Sequence, residues 1–376
     1  MESYLNAEIS ESAIRSNLAE LRKRLPGGTK LCSVVKADCY GHGLSTLLGL
    51  MEELSDVLAV ATPEEAIRLR HLGYERPILM FFSACAYADG PELRDALDEL
   101  IAQNVTLTVV NEREVESVAQ AAQRVGATAH VHVKIDSGMN RSGVLPEAAA
   151  DLARRLRETP RIQLEGFYTH YATADEADKE YVHEQLGRFL AAVEACGGPS
   201  GLTLHAANSA ATIDLPQTHL DMVRPGIALY GYQPSDWMTN RLPLRPALRL
   251  TGRLMQVKHV PAGSRCGYGL THTFDRPTRL GLVPVGYGDG YLRCLSNQAM
   301  MKVRGRHVPV RGKVSMDQVI IDLTEVPQAQ VGDEVEIFSN DPAAPNSVEN
   351  LARLAGTIPY ELTCRLGRRV RRTLVP

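Results

Sequence analysis

Between residues 30 and 223 the chain alternates short β-branched runs with amphipathic helical stretches, and that rhythm leaves few ways to bury both. Strands are expected over 30–35, 57–61, 77–81, 105–109, 130–135, 163–168, 202–206 and 220–223, with helices over 44–54, 63–72, 92–103, 112–125, 146–157 and 177–195. Thr62-Pro63-Glu64-Glu65 joins an N-cap, a first-turn proline and a capping-box glutamate. About eight strand–helix units of this kind predict an α/β fold, a (β/α)8 TIM-like barrel. A doubly wound open sheet is the alternative, but no G-x-G-x-x-G follows the first strand. After Leu242-Pro243-Leu244-Arg245-Pro246 the rhythm changes to short runs at 250–260, 279–285, 301–303, 307–310, 319–323 and 334–338, broken by Gly and Pro. That pattern predicts a C-terminal, mostly β domain with one helix over 347–355. The expected division is a barrel over 1–240 and a β-rich domain over 241–376.

Composition narrows the partners. A formal charge of −3 over 376 residues gives no electrostatic case for nucleic acid or an anionic membrane. The basic run 365–372 reads as a solvated chain end. No window approaches the roughly 18 apolar residues of a membrane span. The seven cysteines are scattered without a C-x-x-C pair, which favours reduced thiols over disulfides or zinc. With no basic-then-apolar stretch at the start, a cytoplasmic protein is expected.

In a barrel, chemistry belongs at the carboxyl ends of the strands, and unusual polar residues fall there in register. Lys36 follows the first strand, Arg141 the fifth, His170 the sixth, Asn208-Ser209 the seventh and Arg224 the eighth. A lysine ending a buried strand loses proton affinity and gains nucleophilicity, which suits Schiff-base chemistry with an aldehyde cofactor. The same residue could equally extend its stem along the barrel and put its charge in water. The segment after it, Ala37-Asp38-Cys39-Tyr40-Gly41-His42-Gly43, is a glycine-flanked loop with a phenol, suited to a phosphate-bearing ring.

Val34-Val35-Lys36-Ala37-Asp38-Cys39-Tyr40-Gly41-His42-Gly43 resembles the V-V-K-A-N-A-Y-G-H-G-like segment of the alanine racemases, with Asp38 and Cys39 in the variable places. Similar segments recur in order: Lys134 to Arg141 (K-I-D-S-G-M-N-R), Tyr168-Thr169-His170-Tyr171-Ala172, His205-Ala206-Ala207-Asn208-Ser209, and Arg224-Pro225-Gly226-Ile227 with Leu229-Tyr230-Gly231. Gly267-Tyr268-Gly269, Gly286-Tyr287-Gly288-Asp289-Gly290, Gly312-Lys313-Val314-Ser315-Met316-Asp317-Gln318 and Ile358-Pro359-Tyr360 complete the series across nearly the whole chain.

The resemblance implies a pyridoxal 5'-phosphate enzyme, a homodimer with shared sites that interconverts L- and D-alanine for peptidoglycan. Lys36 then holds the cofactor covalently and acts as one base, with Tyr268 as the opposing base, assisted by His170 and Arg224. Without the resemblance, Tyr268 is an ordinary half-buried aromatic in a glycine-rich turn, and Arg224 a helix-end arginine paired with a surface carboxylate. At the cofactor's ring nitrogen an arginine, which keeps its proton, makes a weak electron sink and favours quick reprotonation. The phosphate is assigned to Tyr40, Ser209, Tyr360 and the amides of Gly226 and Ile227, although Ser209 could also be a helix N-cap. Arg141 is assigned to the cofactor phenolic oxygen and, with Met316 and Asp317, to the substrate carboxylate. Lys134 matches a lysine often carbamylated in the family; otherwise it is a strand lysine paired with an acid. No metal is implied.

Three other readings compete. A related decarboxylase of the same fold type would carry a Gly-Gly-Gly loop and a Glu-Pro-Gly-Arg segment, and this chain has neither. A non-enzymatic pyridoxal-phosphate carrier barrel would lack the second domain. A serine or broader-specificity racemase keeps the chemistry and changes only the substrate.

Overall fold

The computed structural model describes residues 4–84 and 91–376. The first strand, β1 (Leu5–Ser10), precedes a closed barrel of eight parallel strands. These are β2 (Lys30–Val34), β3 (Val57–Val60), β4 (Ile78–Ser83), β5 (Thr106–Val109), β6 (Ala129–Lys134), β7 (Ile162–Tyr168), β8 (Thr203–His205) and β9 (Met222–Val223). Each pairs with the next in chain order, and Lys30↔Met222 and Leu31↔Val223 close the ring. All eight correspond to expected strands. Continuous apolar runs such as Leu58-Ala59-Val60 and Ile78-Leu79-Met80 are fully buried, as strands packed on both faces require.

The helices start and stop where local chemistry dictates. Leu44–Leu54 has the expected bounds. Pro63–His71 opens with the complete Thr62–Glu65 capping box, and Glu112–Val125 runs from an Asn111 cap to a left-handed Gly126 at φ +76°. Pro91–Ala102, Ala149–Glu158 and Glu180–Ala195 fill the remaining expected segments.

The second domain is a nine-stranded sheet with a small hairpin and two helices. Its strands are β10 (Leu248–Arg253), β11 (Gln256–Val260), β14 (Thr278–Val283), β15 (Met300–Val303), β16 (Arg306–Arg311), β17 (Val319–Asp322), β18 (Glu334–Phe338) and β19 (Arg371–Val375); β12 (Arg265–Cys266) and β13 (His272–Thr273) form the hairpin. The run expected over 250–260 is therefore two strands.

Two sequence expectations are corrected here. The sheet order β11-β14-β17-β16-β15-β18-β10-β1-β19 takes in the chain's first strand, so residues 5–10 depart from the expected 1–240 barrel unit. β1 runs antiparallel to β10 and parallel to β19. The basic run 365–372 is also not simply a solvated end. Arg372 lies against the carbonyls of Leu366, Gly367, Val370 and Gly41, tying the second domain to the loop after Lys36. No helix among the described residues is long and apolar enough to cross a membrane.

Candidate active site

Lys36 leaves the carboxyl end of β2 into an unusual turn. Ala37, Asp38, Cys39 and Tyr40 all have positive φ, between 51° and 57°, a left-handed helical turn built from non-glycine residues. Such a conformation costs about 1–2 kcal/mol per residue, so the surroundings must hold it. Asp38 Oδ1 accepts from the Leu44 amide at 2.9 Å, and Glu65 Oε1 accepts from the Ala37 amide at 2.6 Å. Gly41 ends the turn at φ +84°, where a Cβ would come within 1.9 Å of the Thr363 carbonyl oxygen. The turn is thus pressed against the second-domain helix Pro359–Cys364. Burial, reinforced by Arg141, lowers the proton affinity of the Lys36 amine. The lysine is half-buried at the barrel mouth.

Arg224 follows β9 and is buried at the barrel centre. Its Nη1 donates to His205 Nδ1 at 2.9 Å, and Nη2 donates to the carbonyls of Thr169 at 2.7 Å and Ala206 at 3.1 Å. A longer contact of 3.4 Å reaches His170 Nδ1. Its guanidinium carbon sits 5.3 Å over the Tyr168 ring, on which His205 also stacks at 4.8 Å. No carboxylate lies within salt-bridge distance of Arg224 among the described residues, so it is not the surface ion-pair partner considered above.

These contacts assign the imidazole tautomers. Arginine only donates, so His205 Nδ1 accepts and its proton is on Nε2. That Nε2 lies 2.8 Å from His132 Nδ1, which must accept in turn. By the same reasoning His170 accepts from Arg224 through Nδ1 and carries its proton on Nε2. Burial and the charge of Arg224 hold His170 and His205 well below the ordinary imidazole range, and burial with Lys30 brings His132 to about 3. The motif reading had not given His205 and His132 this role. Histidines at buried strand positions were the available signal.

This trio has a measurable consequence. The unfolded chain takes protons at these imidazoles near pH 6.5 while the native state does not, so their stabilisation is present above that pH and lost as pH falls. Each group is expected to withdraw about 1.4 kcal/mol per pH unit between about 6.5 and its native value. Urea melts at pH 7.5, 6 and 5 should show a plateau and then a steep fall. A flat profile to pH 5 would mean the imidazoles are charged in the fold.

Arg141 and Lys134 complete the cationic group. Asp136, missed in the sequence reading, accepts from the amides of Gly138, Asn140 and Arg141 at 2.9–3.1 Å and so shapes the loop that carries Arg141. Lys134 ends β6 with its Nζ 5.9 Å from the Tyr168 ring centre. Burial first, then Arg141 and Arg224, pulls its amine down to about 8. Among the described residues no carboxylate pairs with it within salt-bridge distance, although Asp136 acts on it at longer range.

The residues expected at a phosphate come together around Gly226. Ser209 Oγ accepts from the Gly226 amide at 2.8 Å and from the Ala228 amide at 3.4 Å. The N-cap of the Ser209–Asp214 helix is Asn208, which leaves Ser209 facing the Gly226 loop and corrects the capping alternative. A Cβ on Gly226 would come within 2.4 Å of Tyr40 Oη. Tyr40 in turn packs at 5.9 Å on Tyr360 from the second domain. Two phenols, a hydroxyl and the Gly226–Ile227 backbone thus make a cradle that fits a phosphate.

The remaining residues lie apart. Tyr268 opens the short 3-10 turn Tyr268–Leu270 between Gly267 at φ +70° and Gly269 at φ +71°, and it is 70% exposed. The strongest charges acting on Lys36 are those of Arg141, Glu65 and Cys364. Met316 is also exposed, with its carbonyl accepting from the Gly288 amide at 2.9 Å. Asp317 is held by Arg369 at 2.7 Å, and Arg369 reaches buried Asp289 at 2.9 Å. Tyr287, Leu270 and Ile358 add exposed apolar surface.

Comparison with known proteins agrees with this geometry. The model of the alanine racemase N-terminal domain matches residues 9–234, and that of the alanine racemase C-terminal domain matches 247–374. An alanine racemase of Desulfovibrio desulfuricans is 41% identical over 373 residues, covering 98% of this chain and 97% of the relative. One from Halothermothrix orenii is 39% identical, covering 97% and 95%. The crystal structure of alanine racemase from D-cycloserine-producing Streptomyces lavendulae superposes with a TM-score of 0.92 at 34% identity, covering 100% of this chain and 98% of that one. On this geometry and these matches, the chain belongs to the alanine racemase family of isomerases.

Proposed function

We propose that this chain interconverts L- and D-alanine with pyridoxal 5'-phosphate and two opposed bases, Lys36 and Tyr268, supplying D-alanine for peptidoglycan in the cytoplasm. The observation that carries the reading is Arg224: a buried guanidinium without a carboxylate partner among the described residues, set among neutral imidazoles at the barrel centre. A cation that keeps its proton leaves a facing ring nitrogen unprotonated, which favours rapid return of a proton over longer-lived side reactions. Its Nε makes no hydrogen bond among the described residues and is the donor available for that nitrogen.

Bound here, the cofactor would draw electron density from the substrate's α-carbon and so acidify its hydrogen. The protein's own groups supply the rest. Tyr40, Ser209, Tyr360 and the amides of Gly226 and Ile227 hold the phosphate. Lys36, with lowered proton affinity, anchors the cofactor and moves the proton on one face. Tyr268 moves it on the other, with His170 presenting its Nε2 proton away from Arg224. Arg141 orients the phenolic oxygen and, with the Met316 amide, the substrate carboxylate; Asp317 steadies that loop through Arg369. At Lys134 an amine near 8 in cationic surroundings supports carbamylation: once the ammonium has given its proton to solvent, the neutral amine adds carbon dioxide and releases a second proton, so a surplus cation becomes an anion for Arg141.

The exposed Tyr268, Met316, Tyr287 and Leu270 favour a homodimer in which the second domain of one chain covers the barrel mouth of the other. The test is loss of optical rotation across a panel of L- and D-amino acids with the cofactor-loaded protein. Alanine should lose rotation fastest from both directions. Faster loss with serine would change the substrate, and decarboxylation without racemisation would overturn the reading.

A further inference from the structure

Glu65 is more elaborate than its helix requires. In a capping box the glutamate at the third helical position returns to the N-cap amide, and here Oε2 does so, accepting from Thr62 at 3.3 Å and from Ala61 at 2.8 Å. The other oxygen is not needed for capping. It crosses to the neighbouring barrel unit and accepts from the amide of Ala37 at 2.6 Å. Ala37 directly follows Lys36 and is the first of the four left-handed residues. Helix Pro63–His71 therefore holds the entry to the turn from outside, while Asp38 and Arg372 hold its middle and end.

The same carboxylate bears on the lysine. Arg141, on the loop after β6, opposes its charge, and Cys364 faces it from helix Pro359–Cys364. Lys134 and His170 are within electrostatic reach from the ends of β6 and β7. Glu65 is the carboxylate in that set. Removing it leaves Lys36 among cations and imidazoles, so both the direction of the side chain and its hold on a proton should change.

We propose that Glu65 is a positioning residue for Lys36: one carboxylate oxygen caps its own helix, and the other fixes the left-handed turn from which the lysine projects, setting a counter-charge within electrostatic reach of the amine. This rests on Lys36 being the cofactor lysine.

The test compares Glu65→Gln, Glu65→Asp and the exposed control Glu64→Gln by the rate and pH dependence of adduct formation. Pyridoxal phosphate is added to cofactor-stripped protein, and the adduct is trapped with borohydride and located by peptide mapping. In Glu65→Gln the pH of half-maximal capture should fall by about 0.5 unit or more, because the counter-charge is gone. Glu65→Asp keeps the charge but is one methylene shorter. Its midpoint should stay near the native value while its limiting rate drops about tenfold through mispositioning. Glu64→Gln should match the native protein. Loss of helix capping alone would lower melting temperature and leave the pH midpoint in place. A native midpoint and a native rate in both Glu65 variants would overturn the proposal. If Glu65→Gln fails to fold, the Glu65→Asp rate decides alone. Adduct mapped to a lysine other than Lys36 would bring down the underlying reading, and the proposal with it, by a visibly different result.

Discussion

Tyr268→Phe is expected to lower alanine racemisation by roughly two to four orders of magnitude while leaving cofactor binding unchanged, the range typical of removing a positioned acid–base group. The side chain stands on a turn fixed by two glycines at positive φ and is largely exposed in the single chain. Loss of one hydroxyl therefore disturbs no packing, and the variant should melt as the native protein does. Racemisation needs a proton removed from one face and returned to the other. With Tyr268 silenced, Lys36 still serves its own face, so the α-hydrogen of one enantiomer should continue to exchange with heavy water without inversion. A racemisation rate within threefold of native would assign the second base elsewhere.

Lys36→Ala is expected to have the larger effect, with racemisation below detection and no covalent adduct after borohydride. The phosphate cradle of Tyr40, Ser209, Gly226 and Tyr360 is untouched by this change, so pyridoxal phosphate should still bind, reversibly and more weakly. Removing the lysine also removes one member of the cationic group around Arg141 and His170. His170 should then take a proton somewhat more readily, a shift that its NMR titration would follow. A retained covalent adduct in this variant would remove Lys36 from the mechanism.

What could be read from the sequence is mostly what short-range physics determines. The apolar runs of the barrel strands, the Thr62–Glu65 box and the Asn111 and Gly126 helix ends are set within a few residues, and they appear at or near the expected positions. β1 was missed because its partners, β10 and β19, lie some 240 and 365 positions away, and Leu5–Ser10 runs straight into a helix that Ser10 caps. The same limit applies at the site. Motifs marked Lys36, Arg141, His170 and Arg224 because each follows a strand, and the barrel brings the strand ends together. Nothing local indicates that Glu65 spends its second oxygen on Ala37, that Asp136 folds the Arg141 loop, or that His205 and His132 buttress Arg224. Those contacts exist only once the ring has closed.

The central claim is a two-base site assembled from two chains, and mixing the two variants above tests it most directly. The Lys36→Ala and Tyr268→Phe variants, the first without detectable racemisation and the second at about 1% of native or less, are combined at equal concentration, dissociated and allowed to reassociate. In a mixed dimer one site pairs the intact Lys36 of one chain with the intact Tyr268 of the other, and the second site lacks both. Random reassociation makes half the dimers mixed, so about one quarter of native racemase activity is predicted to return. Mixtures that stay as inactive as their parents, although mixed dimers are present by native mass spectrometry, would contradict the shared two-base site.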